Sequence, residues 1–297
     1  MEKTVELNQL GLALADYKGK PSTLCPGCGH NAISNQIQAA VWELGIAPEK
    51  IMKISGIGCS SKSPNYFLNR SFGFNGLHGR MPTLATGASF GDTSIKIIGI
   101  SGDGDTASIG MGHFKHVIRR NVPMVYIIEN NGCYGLTKGQ ASPTSPRGFR
   151  TSVQVDGVHA QPFNPLATAL VQGAGFVARA YAGDVEKTKD VIKEAVQYKG
   201  YALVDIFQPC VSFNSVNTYA WFKENTYWLD GHDPSDFSKA LSLALSEEPF
   251  PLGVLFRGEE RTTFEGSLAA YRNDKNPLFR RAAPREVVKK LLDGMCR

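Results

Sequence analysis

The sequence predicts an α/β protein whose parallel sheet is covered by helices on both faces. Short apolar runs typical of buried strands occur at 50–55, 95–101, 124–129, 175–181 and 201–207. Segments with helical spacing of apolar residues separate them, at 30–45, 82–90, 106–120, 165–172 and 184–198. Alternation of this kind builds βαβ units. Because the strand runs are almost continuously apolar, both faces of the sheet are expected to be buried.

Length, composition and charge limit the function classes. The 297 residues are 42% hydrophobic and 20% charged, which suffices for a large core. The net charge of +5 is spread along the chain and does not favour nucleic-acid binding, although it fits transient docking to an acidic partner. We find no apolar run of about 18 residues and no basic-then-apolar leader, so we expect no membrane span and no signal peptide. A cytoplasmic protein is predicted.

The chain is predicted to divide into a main α/β domain at 1–210 and a C-terminal extension at 211–297. Six aromatic residues crowd into 213–228, where they form either a layer over the core or an interface with a partner. The extension ends in a predicted basic helix, REVVKKLL at 285–292.

Two polar motifs follow neighbouring predicted strands. Gly102-Asp103-Gly104 comes directly after strand 95–101, and Asn130-Asn131 after strand 124–129. Parallel neighbours would bring Asp103 and Asn131 together at the carboxyl edge of the sheet. Their oxygens, with the main-chain carbonyl of Cys133, suit Mg²⁺. The glycines would let N–H groups approach phosphates, and a helix starting near Thr106 would point its positive end at them.

Other interpretations of this segment are weaker. A tight strand–helix turn and an Asn-rich turn could each arise alone without a ligand. The dinucleotide fingerprint GxGxxG and the P-loop pattern GxxxxGK[ST] do not occur. A magnesium diphosphate site is therefore the preferred hypothesis.

The cysteines suggest a second site. Cys25 and Cys28 form a CxxC in a Gly/Pro turn, for which zinc binding, redox activity and coincidence all stay open. Cys59 and Cys210 each follow a predicted strand at the same edge of the sheet as Asp103. Four thiolates on converging loops could hold a 4Fe–4S cluster, with plain buried thiols as the alternative.

Together the motifs CPGCGH, GIGCSS, LHGR and GDGD…ENNGCYGLTKGQ, with the late Cys210, resemble the β subunit of 2-oxoacid:ferredoxin oxidoreductases. The segments NSVNTYAWFKENTYWLDGHDP and PLGVLFR look most like the 2-oxoglutarate branch. The resemblance runs from about residue 20 to 260. It implies a thiamine diphosphate-binding fold and CoA-dependent oxidative decarboxylation of a 2-oxoacid, with electrons passing through a 4Fe–4S cluster to ferredoxin.

The resemblance also implies the site residues. Cys25, Cys28, Cys59 and Cys210 would ligate the cluster, and Asp103, Asn131 and the Cys133 carbonyl would hold Mg²⁺. Thiamine diphosphate would contact a set of residues from four loops: Ile57, Gly58, Cys59, Ser60, His78, Gly102, Asp103, Gly104, Asp105, Asn131, Tyr134, Gly135, Leu136 and Thr137. Cys133 and Cys296 are not expected to bind the cluster.

Two catalytic candidates are weaker. Lys62 lies three residues after Cys59 and could bind the substrate carboxylate, although a solvated surface lysine is as good an interpretation. His78 and Arg80 of LHGR could contact the diphosphate or assist proton transfer, or His78 could simply be a core or turn histidine.

The chain holds one diphosphate-type domain and little else. We therefore expect an α subunit that supplies the glutamate facing the aminopyrimidine and much of the coenzyme A site, in an αβ or (αβ)2 assembly. The preferred substrate is 2-oxoglutarate, with pyruvate or another 2-oxoacid as the alternative. A non-catalytic Fe–S electron-transfer module is a hypothesis of a different class, and a zinc protein is a distant third.

Overall fold

A computed structural model describes residues 5–296, and an eight-stranded sheet forms its centre. The strands of this sheet lie in the order β2-β1-β3-β4-β8-β7-β10-β9, and all neighbours are parallel except β7 and β10. In chain order the strands are β1 (Ile51–Ser55), β2 (Phe72–Asn75), β3 (Lys96–Gly102), β4 (Met124–Asn130), β5 (Cys133–Tyr134), β6 (Gln140–Ala141), β7 (Phe176–Tyr181), β8 (Tyr201–Phe207), β9 (Thr226–Trp228) and β10 (Phe250–Arg257). The short strands β5 and β6 pair separately.

Helices cover both faces of the sheet, as the sequence predicts. They are α1 (Gly29–Glu43), α2 (Met81–Gly91), α3 (Asp103–Ala107), α4 (Met111–Arg119), α5 (Pro165–Val171), α6 (Val185–Gln197), α7 (Tyr219–Glu224), α8 (Phe237–Ala244), α9 (Ala269–Arg272) and α10 (Arg285–Met295). One core layer contains apolar residues of α1 and α6, and the other contains those of α2, α4, α5 and α8. Within residues 5–296, we find no helix long and apolar enough to cross a membrane.

The prediction of one helix over 106–120 is wrong. The structure instead has α3, which starts at Asp103, and α4, which starts at Met111. Gly110 lies at the break and packs against the preceding turn: a Cβ at this position would be 2.3 Å from the Asp105 carbonyl oxygen and 3.1 Å from the Cα of Gly79. The break brings the helix start to Asp103, directly at the carboxyl edge of β3.

The segment 56–79, between β1 and α2, contains two further elements. It contains a 3-10 turn at Ser60–Asn65 and the edge strand β2, all four residues of which are exposed. The sequence pattern did not indicate β2, because FGFN is short and lacks a clear alternation.

Part of the C-terminal extension completes the main sheet. Strands β9 and β10, from residues 226–257, add to the edge formed by β7. Of the aromatic segment 213–228, Phe222 packs in a small core cluster, whereas Phe213, Tyr219 and Tyr227 stay partly exposed. The division of the chain at residue 210 stays a prediction.

Candidate functional site

A pocket opens at the carboxyl edge of β1, β3 and β4. All fourteen residues predicted to contact thiamine diphosphate line it, together with Cys133, His30 and Glu129. Lys62 and Arg80 lie outside this lining. The topology explains the convergence, since loops that follow adjacent parallel strands meet at one edge of the sheet.

Asp103 and Asn131 meet in this pocket. The register pairs Gly102 of β3 with Glu129 of β4, and the main-chain N–H of Asn131 donates to Asp103 Oδ1 over 3.3 Å. The Asn131 side-chain oxygen accepts from the Cys133 N–H at 3.0 Å. A carboxylate and an amide oxygen at the end of neighbouring strands form a donor set that suits Mg²⁺.

Hydroxyl groups that the sequence motifs did not single out surround Asp103. Ser142 and Thr144 both donate to Asp103 Oδ2, the latter over 2.6 Å. Burial raises the pKa of Asp103, and these hydrogen bonds oppose that shift. The segment Ser142-Pro-Thr-Ser is rich in hydroxyls, but nothing in its spacing indicates that it folds back onto Asp103.

Glycines form a close-fitting floor beneath the pocket. A Cβ on Gly102 would lie 3.2 Å from Ser60 Oγ, and one on Gly104 would lie 2.3 Å from the Tyr134 ring. The Tyr134 hydroxyl donates to the Gly104 carbonyl at 3.1 Å. The start of α3, capped by Gly102, also faces this space. Glycine backbone at the start of a helix leaves N–H groups accessible to a ligand, which suits a diphosphate group.

Asp105 holds the loops of the pocket in place. Its carboxylate accepts from the N–H groups of Gly79 (2.7 Å) and Ile57 (3.3 Å) and from the Ser101 hydroxyl (2.7 Å). His78 Nδ1 lies 2.5 Å from the same carboxylate, while the His78 side chain is 39% exposed. Asp105 therefore fixes the positions of the loops that contain Ile57 and Gly79. His78 stays accessible at the pocket mouth.

The predicted cluster ligands approach one another beside the pocket. Sγ atoms of Cys210 and Cys59 lie 3.4 and 3.6 Å from the position that a Cβ on Gly135 would take. Cys25 Sγ accepts from Ser212 Oγ at 3.3 Å. The Gly27 carbonyl accepts from the Tyr219 hydroxyl at 3.1 Å. The CxxC turn is thus joined directly to the loop that carries Cys210.

The electrostatic surroundings of these thiols differ. Cys210 interacts with the Cys133 thiol and with the N–H groups of Ser212, Phe213 and Asn214, which together lower the pKa of Cys210. Burial raises the pKa of Cys28 to about 12, and the neighbouring thiols Cys210 and Cys59 add to this shift. A pocket of main-chain N–H donors around a sulfur stabilises thiolate, the form that binds iron.

No three His, Cys, Asp or Glu side chains of residues 5–296 meet at a point that could hold one metal ion. In a 4Fe–4S cluster each cysteine binds a different iron, so the four sulfurs surround the group instead of meeting. All six cysteines of the chain are free thiols.

A buried pair of polar side chains joins the two parts of the site; both residues belong to motifs singled out in the sequence, His30 to CPGCGH and Glu129 to ENNGCYGLTKGQ, but the motifs gave them no role. His30 Nε2 lies 3.4 Å from Glu129 Oε2, and both residues line the pocket. The Ser63 hydroxyl donates to both Glu129 oxygens, at 2.9 and 3.0 Å. Burial lowers the pKa of His30 to about 3 and raises that of Glu129. An acidic residue at the end of an apolar strand was the available indication of Glu129.

Comparison with known families agrees with this geometry. Residues 56–206 match the family described as thiamine pyrophosphate enzyme, C-terminal TPP binding domain. Residues 210–273 match the family described as the C terminal part of the pyruvate ferredoxin oxidoreductase beta subunit. The chain therefore has the cofactor-binding domain of thiamine-dependent enzymes.

Similar proteins define the family more closely. The 2-oxoacid:ferredoxin oxidoreductase subunit beta of Saccharolobus solfataricus is 39% identical over 271 residues, covering 86% of this chain and 88% of that protein. The 2-oxoglutarate synthase subunit KorB of Methanocaldococcus jannaschii is 35% identical over 218 residues, covering 71% and 80%. A structure of 2-oxoglutarate:ferredoxin oxidoreductase from Magnetococcus marinus, with 2-oxoglutarate, coenzyme A and succinyl-CoA bound, matches with a TM-score of 0.85 and 39% identity, covering 91% of this chain and 93% of that one. The chain belongs to the β subunits of 2-oxoacid:ferredoxin oxidoreductases, which confirms the resemblance seen in the sequence and implies an α subunit as partner.

Proposed function

We propose that this β subunit binds thiamine diphosphate with Mg²⁺ and a 4Fe–4S cluster, and that with its α subunit it converts 2-oxoglutarate, coenzyme A and oxidised ferredoxin into succinyl-CoA, CO₂ and reduced ferredoxin. The observation that carries the proposal is the pocket in which the predicted diphosphate and Mg²⁺ residues lie next to the predicted cluster thiols. The direction of the reaction can reverse with the redox state of ferredoxin.

The chain's own residues have separable roles. Asp103, Asn131 and the Cys133 carbonyl would hold the metal, and Gly102 and Gly104 would receive the diphosphate. When bound, thiamine diphosphate supplies the electron sink for decarboxylation of a 2-oxoacid. The four cysteines would place the cluster beside the pocket, next to Gly135 of its lining. The electron path from the bound cofactor to the cluster would then be short. Free thiols also fit our expectation of a cytoplasmic location.

Lys62 remains the candidate for binding a substrate carboxylate. Its main-chain N–H closes a turn onto the Cys59 carbonyl. Burial raises the pKa of the Cys59 thiol, and the Lys62 ammonium group opposes that shift, so its charge lies close to the pocket. The Lys62 side chain is half-buried at the rim. His78, exposed at the pocket mouth, would contact the cofactor and take part in proton transfer.

The pocket mouth is suited to a subunit interface. Large apolar side chains are exposed around it and on the adjoining edge strand: Ile57, Phe72, Phe74, Leu77, Ile109 and Leu136. Such a patch on a polar surface marks an interaction site. The α subunit would cover it and supply the glutamate for the aminopyrimidine and much of the coenzyme A site, in an αβ or (αβ)2 assembly.

The choice of 2-oxoglutarate is supported by the KorB relatives and by the Magnetococcus marinus structure, whose ligands are 2-oxoglutarate, coenzyme A and succinyl-CoA. Pyruvate is the second candidate, because the family matched by residues 210–273 carries that substrate in its description. A non-catalytic electron-transfer module would need no diphosphate site. The glycine backbone below the pocket and the buried Asp103 suit such a site, and they therefore argue against this alternative.

A substrate panel tests the proposal. The coexpressed αβ complex is purified anaerobically and assayed for coenzyme A-dependent ferredoxin reduction with 2-oxoglutarate, pyruvate and a branched-chain 2-oxoacid. We expect the highest kcat/KM with 2-oxoglutarate and no turnover by the β chain alone. Higher kcat/KM with pyruvate than with 2-oxoglutarate would overturn the assignment of 2-oxoglutarate as the substrate. Normal turnover by the β chain alone would overturn the role given to the α subunit.

A further inference from the structure

His30 connects the predicted cluster to the interior of the protein. It lies in the first turn of α1, two residues after Cys28, and is 1% exposed. Its Nδ1 is 3.1 Å from Cys28 Sγ, well within the range of an N–H···S hydrogen bond. The main-chain N–H of His30 also donates to the Cys28 sulfur. One residue therefore approaches the same sulfur through both its backbone and its side chain.

The partners of Nε2, on the far side of the imidazole ring, determine whether Nδ1 carries a hydrogen that it can donate to the sulfur. Gln208 Nε2 lies 3.1 Å from His30 Nε2, and Glu129 Oε2 lies 3.4 Å from it. An amide N–H from Gln208 that donates to Nε2 leaves the ring proton on Nδ1, which faces Cys28 Sγ. Gln208 is itself fixed, because its side chain packs against the backbone of Gly29 at the start of α1.

The arrangement is buried throughout. Glu129, Ser63 and Gln208 are all 0% exposed, so the imidazole cannot exchange its partners for water. Hydrogen bonds made to cluster sulfurs help to set the reduction potential of Fe–S centres. A donor to a thiolate ligand stabilises the reduced cluster, since reduction adds negative charge that spreads onto the sulfurs.

We propose that His30 donates its Nδ1 hydrogen to the Cys28 sulfur and thereby raises the reduction potential of the 4Fe–4S cluster, with Gln208 holding the ring in the required orientation. This inference rests on the proposed cluster. It makes His30 and Gln208 positioning residues of the electron-transfer half of the site. They would match the cluster to the potential of the electron acceptor without touching the substrate.

Redox titration of the anaerobically purified αβ complex tests the proposal, with the reduced cluster followed by electron paramagnetic resonance. In His30→Leu, which keeps the main-chain donor and removes the side-chain donor, the midpoint potential is expected to fall below that of the wild type. In His30→Asn, whose amide nitrogen can occupy the Nδ1 position, it is expected to return toward the wild-type value. Gln208→Met is expected to lower the potential by a smaller amount.

Ser34→Ala is the matched control. Ser34 lies one helical turn after His30, is 2% exposed, and its hydroxyl makes no hydrogen bond within the described chain. The potential of this variant is expected to equal that of the wild type. Should His30→Leu assemble no cluster, Gln208→Met and His30→Asn carry the comparison.

The outcomes separate this inference from the proposed function. Wild-type complex without iron and sulfide would overturn the proposed cluster itself. Iron and sulfide in every variant, with equal potentials in His30→Leu, Ser34→Ala and the wild type, would overturn the role of His30 and leave the cluster standing. The same result is expected if the ring proton is on Nε2, where it cannot reach the sulfur.

Discussion

Asp103 illustrates how much of the site depends on single side chains. Its carboxylate is 2% exposed, and the Asn131 N–H and two hydroxyls donate to it. Groups that hold a metal-ligating carboxylate typically affect metal affinity by about 10–100-fold when removed. The hydroxyls of Ser142 and Thr144 should therefore matter even though neither residue lines the pocket.

Thr144→Val tests this support. The substitution keeps the volume of the side chain and removes its 2.6 Å hydrogen bond to Asp103. We expect Mg²⁺-dependent binding of thiamine diphosphate to weaken by about 10–100-fold, measured by calorimetric titration. Thr144→Ser keeps the hydroxyl and should bind nearly as the wild type does. Equal affinities of Thr144→Val and the wild type would exclude a role for Thr144 in holding the metal site.

Lys62→Ala tests whether Lys62 binds the substrate carboxylate. Lys62→Ala should raise KM for the 2-oxoacid at least about tenfold, since a lost charge-assisted hydrogen bond is worth roughly 1.5–3 kcal/mol. The KM for coenzyme A should stay nearly constant. Lys115→Ala, a change at an exposed lysine of α4, serves as the control and should alter neither constant. If both KM values rise equally in Lys62→Ala, Lys62 does not bind the substrate carboxylate.

Elements position these residues, and the break between α3 and α4 is the most sensitive point. Gly110 touches the Asp105 carbonyl, and the Asp105 side chain in turn holds the N–H groups of Ile57 and Gly79. A side chain at 110 must therefore displace the loops that line the pocket. By contrast, a Cβ added to Gly112, on the exposed face of α4, would have no atom of the described residues within 4 Å.

The two glycines give a matched pair of alanine substitutions. Gly110→Ala should destabilise the protein by about 1–3 kcal/mol through overpacking and should weaken thiamine diphosphate binding. Gly112→Ala should stabilise it by about 0.5–1 kcal/mol, because alanine costs less backbone entropy in a helix. Denaturant unfolding measures both changes. A neutral or stabilising Gly110→Ala would contradict the close packing at the break.

The sequence predicted the elements with strong periodicity and the motifs that follow them. Strand 201–207 agrees with β8 residue for residue, because YALVDIF is an apolar run interrupted only by Asp205 and flanked by turn residues. The edge strand β2 and strands β9 and β10 were not foreseen, since pairing partners far along the chain decide whether such short segments are strands. At the site, motif spacing predicted that Asp103 and Asn131 lie close together, which the structure shows; their binding of Mg²⁺ stays a prediction. The contacts of Ser142 and Thr144 with Asp103, and the place of Glu129 in the pocket lining, arise only from the folded path of the chain.

At the scale of the whole molecule, the pocket opens on a surface with exposed apolar side chains, as expected of a subunit interface. Leu77 is 77% exposed and precedes His78 at the pocket mouth. Val171, the last residue of α5, is 67% exposed and lies toward the opposite edge of the sheet, just before β7 begins. The two residues therefore form a matched pair for locating the α subunit.

Leu77→Asp should weaken association with the α subunit by about tenfold or more, as removal of an interface anchor does. Val171→Asp should leave the association unchanged. Sedimentation of mixed subunits at several concentrations measures both affinities, and circular dichroism checks that each variant is folded. If both variants weaken association equally, or if neither weakens it, Leu77 does not lie at the interface with the α subunit.

The central claim is that one edge of the sheet carries both a thiamine diphosphate site and an iron–sulfur cluster. The most direct test is to quantify iron, acid-labile sulfide and thiamine diphosphate in the αβ complex purified without oxygen. We predict about four iron atoms, about four sulfides and one thiamine diphosphate per β chain. A catalytically active complex that contains no iron, or no thiamine diphosphate, would contradict this claim.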